Sequence, residues 1–130
     1  MENEAKYSIK YYKDRRGNEP VKEYIDDLAG KSDKNSRIMF LKIRDYLRVL
    51  SIYGQGAGFP YVKRIKGDIW ELRPMNGRIM FAAWDGTGFI LLHHFVKKTR
   101  KTPQSEIGTA ERRLLDAMAQ RKEREGAKRK

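Results

Sequence analysis

Four short segments in the second half of the chain, each bounded by turn-forming residues, constrain the fold most strongly. YVKRI, DIWELRP, RIMFAAW and GFILLHHFV follow one another between residues 61 and 96, separated by KG, MNG and DGTG. Gly and Asn tolerate the left-handed backbone that tight hairpin turns require. The spacing therefore predicts four consecutive antiparallel strands. The last of them is apolar almost throughout, which predicts a central strand that is covered on both faces.

The start of the chain predicts one strand and one helix. Apolar and polar residues alternate in KYSIKYY, which indicates a half-buried strand from about Lys6 to Tyr12. After the turn DRRGN, Asn18 is the expected N-cap and Pro20 lies in the first helical turn, where its missing N–H costs little. The helix ends near Gly30, and its apolar stripe recurs with helical spacing: Val21, Tyr24, Ile25 and Leu28.

Two further helices are predicted, one before and one after the meander in the chain. The first begins at Ser32 or Asp33 and ends near Tyr53, where the glycine-rich segment GQGAGFP predicts a flexible loop. Its stripe contains Met39, Ile43, Tyr46, Leu47 and Leu50. The final helix has Thr102 as its N-cap and Pro103 as its first residue, and it frays from about Arg121. Its stripe contains Ile107, Ala110, Leu114 and Met118.

The element order β-α-α-β-β-β-β-α predicts an α+β domain with an antiparallel meander packed against a two-helix hairpin. We expect the domain to span residues 1–120 and residues 121–130 to form a basic C-terminal tail. With 130 residues, the chain is long enough to bury one core.

Charge indicates the class of partner. The formal net charge is +12, and residues 61–101 hold nine basic and three acidic side chains. This charge favours a polyanion as the binding partner. The chain has no cysteine, which excludes a disulfide framework, a thiol nucleophile and thiolate-bound zinc. Two adjacent histidines make a poor metal site, so we expect no metal and no cofactor. No apolar run approaches the length of a membrane span, so a cytoplasmic location is expected and no membrane association.

Three segments together resemble one known family. GDIWELRP, NGRIMFAAW and LLHHFVKKTRKTPQSEI are similar to the RelE/ParE superfamily of bacterial toxins, and most closely to its phage-derived HigB-like branch. The resemblance implies a RelE-like fold and a ribosome-associated mRNA endonuclease that acts in the ribosomal A site. It also implies a cognate antitoxin, often of the helix-turn-helix type, encoded by an adjacent gene.

The resemblance also implies roles for particular residues. Arg73 and Arg78 match the arginines that contact the scissile phosphate, Lys63 and Lys66 match the lysines that line the RNA groove, and Lys98 matches a basic catalytic residue. Some relatives place a Tyr a few residues further on, whereas this chain reads TRKTPQSE, so any final proton transfer must use another group. Other residues expected to contact RNA are Arg64, Lys97, Arg100, Lys101 and His94.

The chemistry fits these residue types. Metal-free RNA cleavage uses the 2′-hydroxyl as nucleophile, so a protein must accept its proton, stabilise the charged phosphorane and protonate the 5′-oxygen. Arg73 and Arg78 can stabilise charge, because a guanidinium stays protonated and matches phosphate oxygens. Neighbouring cations lower the pKa of a lysine, which allows a lysine to act as base or acid. The candidates for this role are Lys63, Lys66 and Lys98.

Other interpretations remain open on the sequence. A basic sheet face can follow a phosphate backbone without chemistry. A sister branch of the superfamily poisons gyrase, and a phage remnant could bind an antitoxin and do nothing else. His93 and His94 are consecutive on a strand, so they should face opposite sides. Alternation places His94 with Ile90, Leu92 and Val96, and His93 with Phe89, Leu91 and Phe95; each is either a general acid or a packed side chain.

Aromatic residues could stack on bases, and the sequence divides them into two groups. Core packing is expected for those among aliphatic neighbours, which are Trp70, Phe81 and Trp84. Base stacking is better suited to those that flank the glycine-rich loop, which are Tyr53, Phe59 and Tyr61.

Overall fold

The structure of the protein is a computed structural model, which describes residues 4–128. It contains β1 (Ser8–Tyr11), α1 (Pro20–Gly30), α2 (Lys34–Tyr53), a 3₁₀ helix (Gly54–Ala57), β2 (Val62–Lys66), β3 (Ile69–Leu72), β4 (Gly77–Trp84), β5 (Gly88–Val96) and α3 (Gln104–Lys128). The α+β class, the helical hairpin and the four-stranded meander are confirmed.

All five strands form one mixed sheet in the order β1-β5-β4-β3-β2. The meander is antiparallel, and β1 joins its β5 edge in parallel, with Ser8 opposite Gly88. A side chain at Gly88 would overlap the backbone of Ser8, so this pairing requires a glycine there. As predicted, β5 is therefore an interior strand.

Helices cover both faces of the sheet. The hairpin of α1 and α2 packs on one face, where Leu50, Leu72 and Phe81 belong to the same core cluster. On the other face, called here the α3 side, Met80 and Leu92 pack against Ala110 of α3. The apolar stripes expected for α1 and α2 pack against the first of these faces. In α3, however, Ala117 is buried and the predicted Met118 is 45% exposed.

Two of the predicted N-caps are wrong. The N-cap of α1 is Glu19, whose N–H donates to the carboxylate of Glu23, because the side chain of Asn18 is already bonded to Asp14 in the preceding turn. The hydroxyl of Thr102 donates to Glu71 at 3.2 Å instead of capping α3, which begins at Gln104. In α2 the carboxylate of Asp33 accepts from the Ser36 N–H, so Asp33, and not Ser32, is the N-cap.

Two segments are more ordered than the sequence predicts. Part of the glycine-rich loop forms the 3₁₀ helix, which begins where Gly54 has a φ of 60° and leaves room for the ring of Tyr7. α3 continues past Arg121 to Lys128, because Arg15 bonds both Asp116 and Glu123 along its exposed side. The domain boundary at residue 120 stays a prediction.

A β-bulge changes the alternation of side chains in β5. Met80 pairs with His93 and Phe81 pairs with Leu91, so Leu92 is the extra residue. Leu92 and His93 consequently both face the α3 side, and His94 faces α1. The grouping predicted by strict alternation, in which His94 shares a face with Leu92, is therefore wrong.

Candidate nucleic-acid interface

A fully buried glutamate lies at the centre of the candidate site. Glu71 is on β3, faces the α3 side and has no exposed surface. Its Oε1 accepts a hydrogen bond from Nη1 of Arg73 at 2.8 Å, and its Oε2 accepts from the hydroxyl of Thr102 at 3.2 Å. No local sequence pattern assigns Glu71 a role. The signal that could have found it is the spacing in ELR, which places a carboxylate and a guanidinium on the same side of a strand.

Arg78 is the second partner of this carboxylate and is itself buried. Its Nε lies 3.6 Å from Oε1 of Glu71, and its Nη1 donates to the carbonyls of Met75 and Gly77 at 2.8 and 2.7 Å. Burial lowers the pKa of Arg78, and the charge of Arg73 lowers it further, whereas Glu71 opposes both effects. The guanidinium is therefore held inside the β3–β4 hairpin.

Arg73 is better placed to meet a ligand. Its side chain is 15% exposed, lies against Glu71 on one side, and has its guanidinium carbon 5.0 Å from the centre of the Phe59 ring. The Arg73 N–H donates to the carbonyl of Tyr61 at 3.0 Å, which fixes the backbone just beyond β3.

Two lysines complete the group. Lys63 on β2 is paired with Glu71 in the sheet register, and Lys97 follows β5, where its N–H donates to the carbonyl of Asn76 at 2.8 Å. Partial burial lowers the pKa of Lys97, and the charges of Arg78, Arg73 and Lys63 lower it further, against the effect of Glu71. We call Lys63, Arg73, Arg78 and Lys97 the cationic cluster; around one carboxylate they leave a surplus of three positive charges.

Several predicted site residues lie outside the cationic cluster. The side chain of Lys66 is 60% exposed, and its ammonium lies 3.7 Å from a carboxylate oxygen of Glu111 on α3. Arg64 donates to the carbonyl of Gly67. Three others are exposed in the segment between β5 and α3: Lys98, Arg100 and Lys101. That segment connects Lys97 to Thr102, so it borders the cationic cluster without entering it.

The two histidines serve packing on opposite faces of the sheet. The ring of His94 stacks on Tyr24 of α1 at 3.9 Å, and burial lowers its pKa to about 4, so it is neutral at pH 7. It is on the face away from Glu71.

His93 is on the same side as Glu71, two strands away, and is bonded at both ring nitrogens. Nδ1 lies 3.3 Å from Nη1 of Arg113, and Nε2 lies 3.1 Å from a carboxylate oxygen of Glu106. A guanidinium can only donate, so we assign the proton to Nε2, which donates to Glu106. Burial also lowers the pKa of His93. The histidine thus attaches α3 to β5.

The aromatic residues for which core packing is expected are buried or partly buried. Phe81 and Trp84 are buried, and Trp70 is partly buried with its ring 6.5 Å from that of Phe81. Tyr61 is partly buried against Tyr46, with ring centres 5.0 Å apart. Phe59, by contrast, is exposed beside Arg73.

A comparison with protein-family models matches residues 26–115 to a family described as Phage derived protein Gp49-like (DUF891). The match covers more than half of the chain. The chain belongs to the Gp49-like family. This family is a toxin-like group of the RelE type, and the matched region of this Gp49-like protein contains all four residues of the cationic cluster and Glu71. No curated protein matches the sequence.

Among residues 4–128, no three histidine, aspartate or glutamate side chains come together as a set of metal ligands. Over the same part of the chain, no helix has the length and apolar character needed to cross a bilayer.

Proposed function

We propose that this Gp49-like protein is the toxin of a type II toxin–antitoxin system and belongs to the HigB-like branch of the RelE/ParE superfamily. In this proposal it acts in the cytoplasm as a ribosome-associated endonuclease that cleaves messenger RNA. The observation that carries the proposal is the convergence of four cations around Glu71. A surplus of positive charge that is held in place by a buried carboxylate is suited to a phosphate that gains charge during reaction.

The proposed cleavage uses the 2′-hydroxyl of the message as nucleophile. Lys97, in its deprotonated form, accepts the 2′-hydroxyl proton while the 2′-oxygen forms a bond to phosphorus. Arg73 stabilises the additional charge on the phosphorane oxygens. The bond from phosphorus to the 5′-oxygen then breaks, and the ammonium of Lys63 donates a proton to that oxygen. The products are a 2′,3′-cyclic phosphate and a 5′-hydroxyl.

The role of Lys97 follows from its surroundings. Among the four cations, it combines partial burial with three nearby positive charges, and both effects lower its pKa towards the range of a general base. Lys66 is less suited, because it is exposed and is close to Glu111. In the proposal Lys98, Arg100 and Lys101 extend the phosphate-binding surface beyond the cationic cluster.

Removal of the Arg73 guanidinium should lower cleavage strongly. We expect Arg73→Ala to slow cleavage about 10²–10³-fold, the effect of losing one preorganised donor to the transition state. Arg73→Lys should recover part of the rate, because it restores charge without the planar group that matches two phosphate oxygens. Primer extension on a translated message measures the cuts. Arg64→Ala, outside the cationic cluster, is the matched control, and equal loss in both variants would contradict the assignment.

An antitoxin is the expected protein partner, because the family is toxin-like. We propose that an adjacent gene encodes it, that it is of the helix-turn-helix type, and that an acidic segment covers residues 61–101. The strong net positive charge of the toxin favours such a partner.

Controlled expression with and without the neighbouring gene tests the proposed function. Expression alone should arrest growth and produce cuts in translated messages, and co-expression of the neighbour should abolish both effects. Arrest with intact messages and induced DNA-damage signalling would contradict the nuclease and favour a gyrase-poisoning toxin. Growth without arrest would contradict the toxin assignment itself.

A further inference from the structure

The side chain of Phe59 is exposed at the edge of the cationic cluster. It is 75% exposed, more than any other large apolar side chain among residues 4–128 that is found at the surface. Its ring centre lies 5.0 Å from the guanidinium carbon of Arg73. One side of the ring thus meets Arg73, and most of the remaining surface is open to solvent.

The backbone around Phe59 is held by hydrogen bonds on both sides. The N–H groups of Tyr61 and Val62 both donate to the carbonyl of Gly58, at 2.9 and 3.1 Å. The carbonyl of Tyr61 accepts from the Arg73 N–H at 3.0 Å. The turn that carries Phe59 is therefore attached to the end of β3, next to the residue that we propose binds phosphate. An exposed aromatic ring that is fixed in this way loses little freedom on binding.

We propose that Phe59 and Arg73 form a stacking subsite for one nucleobase of single-stranded RNA. The base lies on the open face of the Phe59 ring, and its adjoining phosphate lies against Lys63 and Lys97. This inference rests on the proposed function, because it takes the cationic cluster as the phosphate position. Stacking on an aromatic face accepts any base, so the subsite positions the strand more than it reads sequence.

Two other aromatic residues near the glycine-rich segment are less suited to this role. Tyr61 is packed against Tyr46. Trp70 is partly buried near Phe81, on the face of the sheet away from Glu71. Phe59 combines exposure with contact to a residue of the cationic cluster.

Binding of a fluorescent oligonucleotide tests the subsite directly. The probe is a short single-stranded RNA that contains 2-aminopurine, with 2′-O-methyl groups on every ribose so that it cannot be cleaved. We expect the wild-type protein to quench the 2-aminopurine on binding. Phe59→Ala and Phe59→Leu should abolish the quenching and raise the Kd about tenfold to a hundredfold, the usual effect of losing one stacked base. Phe59→Tyr should retain both properties.

Leu115→Ala is the matched control, because Leu115 is an apolar side chain of α3 that is 66% exposed. It should bind and quench as the wild type does, and thermal unfolding of every variant checks that the fold is retained. Quenching by Phe59→Leu equal to that of the wild type would overturn the subsite, as would loss of quenching in Phe59→Tyr or in the control. Absence of quenching by the wild-type protein would overturn it as well.

The subsite and the nuclease can fail separately. Message cleavage by the wild type together with unchanged probe binding by Phe59→Ala overturns the subsite and leaves the nuclease standing. Quenching that depends on Phe59, without message cleavage by the wild type, supports the subsite and contradicts the nuclease.

Discussion

Replacing Lys97 by methionine should slow message cleavage about 10²–10⁴-fold, the usual contribution of a general base. Methionine keeps much of the length of the side chain and removes the amine that is proposed to accept the 2′-hydroxyl proton. Arg73, Arg78 and Lys63 remain, so RNA binding should fall far less than the rate. A single-turnover rate at saturating protein separates the two effects.

The pH profile gives an independent test of Lys97. A base must be neutral to accept a proton, so the rate should rise with pH until Lys97 is fully deprotonated. Burial and the nearby cations lower the pKa of Lys97 below its ordinary value of 10.5. The cleavage rate should therefore stop rising at a lower pH than it would if the base were a lysine with an ordinary pKa. Lys97→Met should lose this rise, and so should Lys97→Arg, because arginine stays charged.

Lys98→Met is the matched control for Lys97→Met. Lys98 is the adjacent, exposed lysine, and the family resemblance gives it a catalytic role. We expect its loss to weaken RNA binding modestly and to leave the pH profile unchanged. A loss of rate in Lys98→Met with a normal rate in Lys97→Met would return the role to Lys98 and contradict our assignment.

Replacing Glu71 by alanine should destabilise the fold by about 3–5 kcal/mol, the usual effect of removing one partner from a buried ion pair. The carboxylate is fully buried, bonds Arg73 and lies 3.6 Å from Nε of Arg78. Without it, two neighbouring guanidinium groups repel each other in a poorly solvated position. Chemical denaturation gives the free energy of unfolding.

Glu71→Gln and Glu111→Ala are the controls for this prediction. Glu71→Gln keeps the shape and can still accept a hydrogen bond, so its destabilisation should be smaller and should come from the lost charge. Glu111 makes an exposed ion pair with Lys66, which is worth about 0–1 kcal/mol. If Glu71→Ala lowers the free energy of unfolding as little as Glu111→Ala does, Glu71 does not hold the cationic cluster together.

Local patterns in the sequence predict most of the elements of this fold. Alternation predicts β1, apolar stripes predict α1 and α2, and turn residues divide the meander. The parallel pairing of β1 with β5 joins segments about eighty residues apart, and no local pattern encodes it. The one residue in the sequence that reflects this pairing is Gly88, and the turn segment DGTG accounts for a glycine there equally well.

The candidate site was only partly predictable, for three physical reasons. Arg73 and Arg78 follow from the resemblance, but their shared partner Glu71 is a buried contact that depends on how β3 and β4 pair. Lys97 and Lys98 are adjacent and chemically identical in the sequence; the hydrogen bond from Lys97 to Asn76 distinguishes them in the fold. The bulge at Leu92 reverses the alternation that would have assigned the histidines to faces.

The parallel pairing of β1 with β5 determines when the protein can fold during its synthesis. β1 needs β5 as its neighbour, and the hydroxyl of Tyr12 donates to Asp116, which is 104 residues further along the chain. Contacts between such distant segments form late, because the intervening chain must be present first. A ribosome that translates this message must therefore complete β5 before the five-stranded sheet can form. If the protein attacks messages as proposed, its own message is read through the codons of β5 before an active copy exists.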